Sequence, residues 1–112
     1  VAFGKKHGLV LTHNPAEALK GADVAYTDTW VSMGEEREKN KRMKAFKGFQ
    51  LNVALLKKAG AANAYIMHCL PAHRGVEISD DAIDSKNSVV YDQAENRMHV
   101  QKAVMMKLMG KS

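Results

Sequence analysis

Short apolar runs alternate with amphipathic stretches along the 112 residues of this chain. Four runs have strand length and composition: Leu9-Val10-Leu11, Val24-Ala25-Tyr26-Thr27, Tyr65-Ile66-Met67 and Ser88-Val89-Val90-Tyr91. The opening residues read as the end of a helix closed by Gly8. Asn14-Pro15 starts another, with Asn14 as N-cap and Pro15 at the first helical position, where its missing N–H costs nothing. Ala16, Leu19 and Ala22 give that helix a buried side, and Gly21 stops it. A charged helix is expected over residues 35–47, with Met43 and Phe46 turned inward and Gly48 as its breaker. Asn52 caps a short helix ended by Gly60, and Ser79 caps a further turn through Ile83. A last helix is expected over residues 96–109, with Met98, Val100, Val104, Met105 and Leu108 as its apolar stripe and Met105, Met106 and Met109 as core filler.

Strand and helix in strict alternation with short connections predict an α/β fold: a Rossmann-like parallel sheet flanked by helices in three layers. Ligands in such sheets bind at the carboxyl ends of the strands. The three chemically richest stretches stand there: Asp28-Thr29-Trp30-Val31-Ser32-Met33-Gly34, then residues 68–75 (His-Cys-Leu-Pro-Ala-His-Arg-Gly), then Asp92-Gln93-Ala94-Glu95-Asn96-Arg97.

Composition narrows the field. A hydrophobic fraction of 46% with 26% charged residues is globular. One domain fits the length. No apolar run is long enough for a transmembrane helix, and no secretory pattern opens the chain. The single cysteine, Cys69, cannot form an intrachain disulfide, so a cytoplasmic setting is expected. The net charge of +5 invites an anionic partner, but residues 35–47 alone carry six Lys/Arg against three acids. A mixed-sign run of this kind is a solvated helix face, and no aromatic interleaving accompanies it, so nucleic acid is not an expected partner. Neither a dinucleotide glycine cradle nor a P-loop is present.

Each rich stretch supports two readings. Asp28 could pair an ammonium while the glycine-bounded loop holds a carboxylate, but on composition alone a capping box of Ser32 and Glu35 at a helix start is the favoured account. Cys69 beside His68 suggests nucleophilic chemistry, yet strand neighbours face opposite ways, and a buried small hydrophobe is an equal account. His68, His73 and Cys69 do not match a zinc spacing, so no metal is expected. Arg97, read as lying in a first helical turn, would oppose the macrodipole and so suit an anionic or carbonyl ligand; a salt bridge to Asp92 or Glu95 is the alternative.

Together, DTWVSMG, HCLPAHRG and DQAENRMHVQKA, in this order and spacing, resemble ornithine carbamoyltransferase, and LTHNPAEALKGADVAYTDTW is similar to the family's equivalent segment. The resemblance covers essentially the whole chain and corresponds to the last third of a full-length family member: the C-terminal part of the ornithine-binding domain, with residues 96–109 packing back on a carbamoyl-phosphate domain. It implies transfer of the carbamoyl group from carbamoyl phosphate to the δ-amine of L-ornithine, giving L-citrulline and phosphate in arginine metabolism, without a cofactor. By the same resemblance Asp28 holds ornithine's α-amino group, Ser32 and Met33 contact the amino-acid end, and Cys69 lies near the δ-amine. Leu70 offers its carbonyl to the carbamoyl amine across a cis Leu70-Pro71 bond, and Arg97 reaches carbamoyl phosphate.

The family's SxRTR-type phosphate cradle and HPxQ-type carbamoyl motif have no counterpart in these residues, so the piece alone is expected to be inactive. The family forms homotrimers built mainly by the first domain, so trimerisation of this piece is not expected. A non-catalytic amino-acid-binding or scaffold domain that kept the fold is the alternative function.

Overall fold

The computed structural model describes residues 2–31, 34 and 36–110. Its elements are α1 (Ala2–Lys6), α2 (Pro15–Ala18), β1 (Val24–Thr27), a 3₁₀ turn (Glu36–Glu38), α3 (Lys39–Ala45), α4 (Val53–Lys58), β2 (Tyr65–His68), α5 (Asp80–Ile83) and α6 (Val90–Leu108). β1 and β2 pair in parallel, with Val24 opposite Tyr65 and Thr27 opposite His68. Ser88 adds a parallel bridge on the other side of Ile66. The α/β class therefore stands, as a partial sheet of two strands and one bridge among the described residues.

Local chemistry sets several element ends. Asn14 Oδ1 accepts from the amides of Ala16 and Glu17, with Pro15 at the first helical position, as the sequence predicts. Asn52 Oδ1 accepts from Leu55 N at 2.7 Å to start α4. Gly60, at φ 71°, ends α4: its amide donates to Lys57 O and the Ala61 amide donates to Leu56 O, the paired bonds of a Schellman cap. The Ser79 hydroxyl makes no such cap; it bonds Asp81 and Leu51 O instead.

Two expected strands are corrected. Leu9, Val10 and Leu11 form no ladder and stand exposed, because an extended run becomes a strand only beside a partner edge. At residues 88–91 the Val89 amide donates to Ile66 O and the Ile66 amide to Asn87 O. The chain then turns into α6 at Val90, which is fully buried, so the run serves as a bridge and a helix start.

The core is small and rich in alanine. Ala25, Leu51, Leu56, Ala59, Ala61, Ala64, Ile66, Ile78, Ala82, Ile83 and Val90 are buried, with Ala16, Leu19 and Ala22 packed against them. Alternation along the strands divides the sheet: Ala25, Ile66 and His68 are buried on one face, while Val24, Tyr26 and Tyr65 stand about half exposed on the other. The expected three layers are therefore complete on one side only. α6 is also bare beyond its first turn. Met98, Val100, Val104, Met105, Met106, Leu108 and Met109 are all exposed, so the methionines are not core filler in this chain. A 12.4 kDa monomer is expected to show about 6,100 Å² of surface; this chain shows 8557 Å². Its radius of gyration is 16.5 Å against about 13 Å for a compact chain of this length.

Candidate functional site

The register of the two strands builds the site. Thr27 is paired with His68, so Asp28 and Cys69 leave adjacent carboxyl ends side by side. Cys69 Sγ donates to Asp28 Oδ1 at 2.8 Å. The Thr29 amide donates to the same oxygen at 2.6 Å. Both bonds converge on Oδ1, so the second carboxylate oxygen is without a hydrogen-bond partner among the described residues.

The electrostatics follow from these bonds. The thiol, and secondarily the Thr29 amide, hold the Asp28 carboxyl below the ordinary range. The carboxylate in turn pushes the Cys69 thiol up, and burial adds to this. Cys69 is thus a protonated thiol at neutral pH and not an activated nucleophile. Asp28 is an anion suited to a cation.

Behind the pair lies a buried polar support. His68 and Glu77 are the buried polar side chains among the described residues. The Leu70 amide donates to His68 Nδ1 at 2.9 Å. That bond leaves the imidazole proton on Nε2, which donates to Glu77 Oε1 at 3.2 Å. The His73 amide donates to Glu77 Oε1 at 2.5 Å. His73 Nδ1 lies 3.1 Å from Thr29 Oγ1, joining the loop after β2 to the loop after β1. The Leu70-Pro71 bond is cis and Leu70 sits at φ 56°, the left-handed region, with its amide tied to His68. Arg74 closes the loop by a fork on Asp84, at 2.5 and 2.8 Å, and a bond to Asp80 at 2.9 Å.

α6 reaches the strand ends through Gln93. Its Oε1 accepts from the His68 amide at 3.1 Å, and its Nε2 donates to the Tyr26 hydroxyl at 3.1 Å.

Arg97 requires a correction. α6 begins at Val90, so Arg97 is its eighth residue and not in its first turn; the macrodipole argument for this arginine falls. It stands exposed and has no ion pair among the described residues, since Glu95 bonds His99 instead. Arg97 lies four residues beyond Gln93 and seven beyond Val90, on the helix face that meets the sheet. The structure thus brings Asp28, Cys69 and Leu70 together and sets Arg97 one turn further along the adjoining helix. Ser32 and Met33, and with them the Ser32–Glu35 capping box, lie outside the described residues.

Sequence reasoning assigned no role to Tyr26, Thr29, His73, Glu77 or Gln93. Period-two alternation from Asp28 would have found Tyr26 on the same sheet face. An acid between Val76 and Ile78 in an apolar setting was the available sign of Glu77. Gln93 carried no local signal, because its role depends on two strands remote in sequence.

No group of three or more His, Cys, Asp or Glu among the described residues could hold a metal, and no helix there is long and apolar enough to cross a membrane. A separate shallow groove of about 350 Å³ is lined by Trp30, Met43, Lys47, Gln50, Asn52 and Val76. It contains neither Asp28 nor Cys69.

Comparison with known proteins identifies the family. The family model described as "Aspartate/ornithine carbamoyltransferase, Asp/Orn binding domain" matches residues 2–108. The ornithine carbamoyltransferase of Thermococcus kodakarensis is 59% identical over 100 residues, covering 89% of this chain and 31% of that protein. The Pyrococcus furiosus protein named "Ornithine carbamoyltransferase, anabolic" is 58% identical over 100 residues, with the same coverage. The crystal structure of ornithine carbamoyltransferase from Thermus thermophilus superimposes with a TM-score of 0.79 at 41% identity, over 96% of this chain and 34% of that one. The chain therefore spans about a third of the length of the relatives it matches. With its fold, its paired strand ends and a family match over nearly its whole length, it belongs to the aspartate/ornithine carbamoyltransferase family, as an Asp/Orn-binding domain piece.

Proposed function

We propose that this chain is the amino-acid-binding portion of an ornithine carbamoyltransferase, the enzyme that moves a carbamoyl group from carbamoyl phosphate to the δ-amine of L-ornithine and releases L-citrulline and phosphate. The observation that carries the reading is the Cys69 Sγ–Asp28 Oδ1 contact of 2.8 Å at adjacent strand ends. Asp28, ionised and with one oxygen open, suits ornithine's α-ammonium. Cys69, a neutral thiol beside it, suits the δ-amine without attacking the substrate. Ser32 and Met33 complete the amino-acid end. Leu70 offers its carbonyl to the carbamoyl amine, and Arg97 meets the charge of carbamoyl phosphate and of the tetrahedral transition state.

An amine attacks only when neutral, and ornithine's δ-amine has a lysine-like value near 10, so it must lose a proton before transfer. The low pKa of Asp28 makes it a weak base, which favours an electrostatic role for it over proton abstraction.

In this reading the rest of the site, including the phosphate cradle, comes from the part of the relatives' length that the chain does not span. The exposed stripe of α6 would rest on that part, the carbamoyl-phosphate domain, and a homotrimer would be built there. The reading calls for no cofactor and places the protein in the cytoplasm, in arginine metabolism.

Calorimetric titration with L-ornithine, together with a citrulline assay in carbamoyl phosphate, tests it. The 112-residue chain is expected to bind ornithine weakly, to lose that binding in Asp28→Asn, and to form no citrulline. In a full-length enzyme carrying this segment, Cys69→Ala is expected to lose both turnover and ornithine affinity. Equal ornithine binding by the chain and its Asp28→Asn variant would refute the site, and citrulline formation by the chain alone would refute its dependence on the remaining domain.

A further inference from the structure

We propose that His73 is a positioning residue for Asp28: through Thr29 it ties the loop that carries Asp28 to the loop that carries Cys69 and Leu70. The inference rests on reading Asp28 as the holder of the substrate's α-ammonium. The two loops leave adjacent strand ends, and past the Thr27–His68 pair the ladder no longer fixes their spacing. The thiol–carboxylate bond joins them at one point, and a cation on Asp28 competes for that carboxylate. His73 Nδ1, 3.1 Å from Thr29 Oγ1, joins them at a second point that uses neither Asp28 nor Cys69.

Neighbouring atoms fix which way this bond runs. Thr29 Oγ1 lies 3.2 Å from Val31 O, and a carbonyl can only accept, so the hydroxyl proton goes there and Oγ1 is left to accept. Glu77 Oε2, buried and without a hydrogen-bond partner among the described residues, is 3.7 Å from the same His73 Nδ1. A bare nitrogen lone pair is repelled by that carboxylate oxygen, whereas an N–H is attracted to it. Nδ1 therefore carries a proton, and donation runs from His73 through Thr29 to Val31 O. The Thr29 amide donates to Asp28 Oδ1 at 2.6 Å, so holding Thr29 by its hydroxyl also holds the carboxylate oxygen on its amide.

The other end of the tie is anchored by backbone. The His73 amide donates to Glu77 Oε1 at 2.5 Å, and the buried His68 ring bonds the same oxygen, so the anchor survives replacement of the His73 imidazole. Among the charged groups around that ring, Arg74 is turned to Asp80 and Asp84, and Asp28 is reached through Thr29. The neutral Nδ1–H imidazole and the imidazolium both donate to Thr29, so the tie calls for a donor at that point and not for a charge.

Leucine and asparagine at position 73 separate the donor from the shape. Asn Nδ2 stands one bond beyond Cγ, as His Nδ1 does, and a Leu methyl takes the same place with no proton to give. In a full-length enzyme carrying this segment, His73→Leu is expected to raise KM for ornithine about fivefold, the effect of one hydrogen bond. Turnover should stay within about twofold, because the α-ammonium is held alike in ground and transition states. His73→Asn is expected to restore KM, Thr29→Val to match His73→Leu, and the Thr29→Val, His73→Leu double variant to add nothing. In the 112-residue chain, all alkylation by iodoacetamide reports on Cys69, its single cysteine. There His73→Leu is expected to move the pH profile of alkylation downward, toward that of Asp28→Asn, as the carboxylate loosens from the thiol. A KM that is unmoved in His73→Leu, or raised alike in the Leu and Asn variants, while Asp28→Asn raises it, would overturn the role of His73 alone. So would additive effects of Thr29→Val and His73→Leu, or an alkylation profile that moves in Asp28→Asn and not in His73→Leu. A KM or a profile untouched by Asp28→Asn would remove the ammonium site or its contact with the thiol, and with it both this inference and the reading it rests on.

Discussion

Glu77 is the residue whose loss the structure makes most costly. Its carboxylate is fully buried and accepts two hydrogen bonds on Oε1, from His68 Nε2 and from the His73 amide. Glu77→Ala strands both donors, the fully buried His68 Nε2 and the part-buried His73 amide. Each stranded donor costs about 1–3 kcal/mol, so the variant should lose about 2–6 kcal/mol. That is a large part of the roughly 5–15 kcal/mol that holds a small domain together. With a urea slope of about 2 kcal/mol per molar, the unfolding midpoint should fall by about 1–3 M. Glu77→Gln keeps an acceptor at Oε1. It places its NH₂ where Oε2 now has no hydrogen-bond partner, 3.7 Å from His73 Nδ1, so most of the loss should be recovered. Urea unfolding followed by circular dichroism distinguishes the two variants. Equal midpoints for Glu77→Ala and Glu77→Gln would refute the hydrogen-bond account, since both remove the carboxylate but only one removes the acceptor.

Gly60→Ala meets no atom within 4 Å of the added carbon, so its expected loss of about 1 kcal/mol is the backbone cost of φ 71° alone, read as a lowered urea midpoint. Stability should depend on pH through the thiol–carboxylate pair. Asp28 is held low, so its contribution is present above the unfolded carboxylate value near 3.9 and is lost as pH falls through the lower folded value. Cys69 is held high, so its contribution is present below the unfolded thiol value near 8.5 and is lost as pH rises through the higher folded value. The stability difference between the chain and Asp28→Asn should therefore be greatest on the plateau between these limits and should shrink toward both; a pH-independent difference would contradict the pair. Val104→Lys with Met105→Lys should leave the unfolding midpoint within about 0.5 kcal/mol of the parent, because both positions are already exposed, while lowering self-association in sedimentation.

The sequence disclosed those features that depend on nearest neighbours. Asn14-Pro15, Asn52 and Gly60 act within four residues of themselves, and each sets the helix end expected of it. The runs at 24–27 and 65–68 have partners in this chain and form strands, whereas Leu9-Val10-Leu11 has the same composition, lacks a partner edge and stays unpaired. Strand identity belongs to a pair of segments, and one segment cannot announce it. The site shows the same division. Asp28 and Cys69 were legible as strand-end residues, and their contact needed only the register. The partners could not be read, even where a residue left a local sign, because Glu77 meets His68 and Gln93 meets Tyr26 through folds of the chain that leave no periodic trace. The placement of Arg97 failed for a related reason: the β-branched residues at 89 and 90 suit a strand and a helix start alike, and burial of Val90 decided for the helix.

The bare outer length of α6 has a mechanical consequence. The helix is 19 residues, about 28 Å long, and is anchored to the body at one end, by Val90 and Gln93. Arg97 sits about 10 Å along this lever from Val90. A swing of 10° about the anchor carries it through roughly 2 Å, whereas a misplacement of about 1 Å is enough to spoil a reacting geometry. The aim of the guanidinium is thus set at the far end of the helix, by whatever clamps Met105, Leu108 and Met109. A contact well over ten ångströms from the chemistry governs how finely the arginine can be pointed at it.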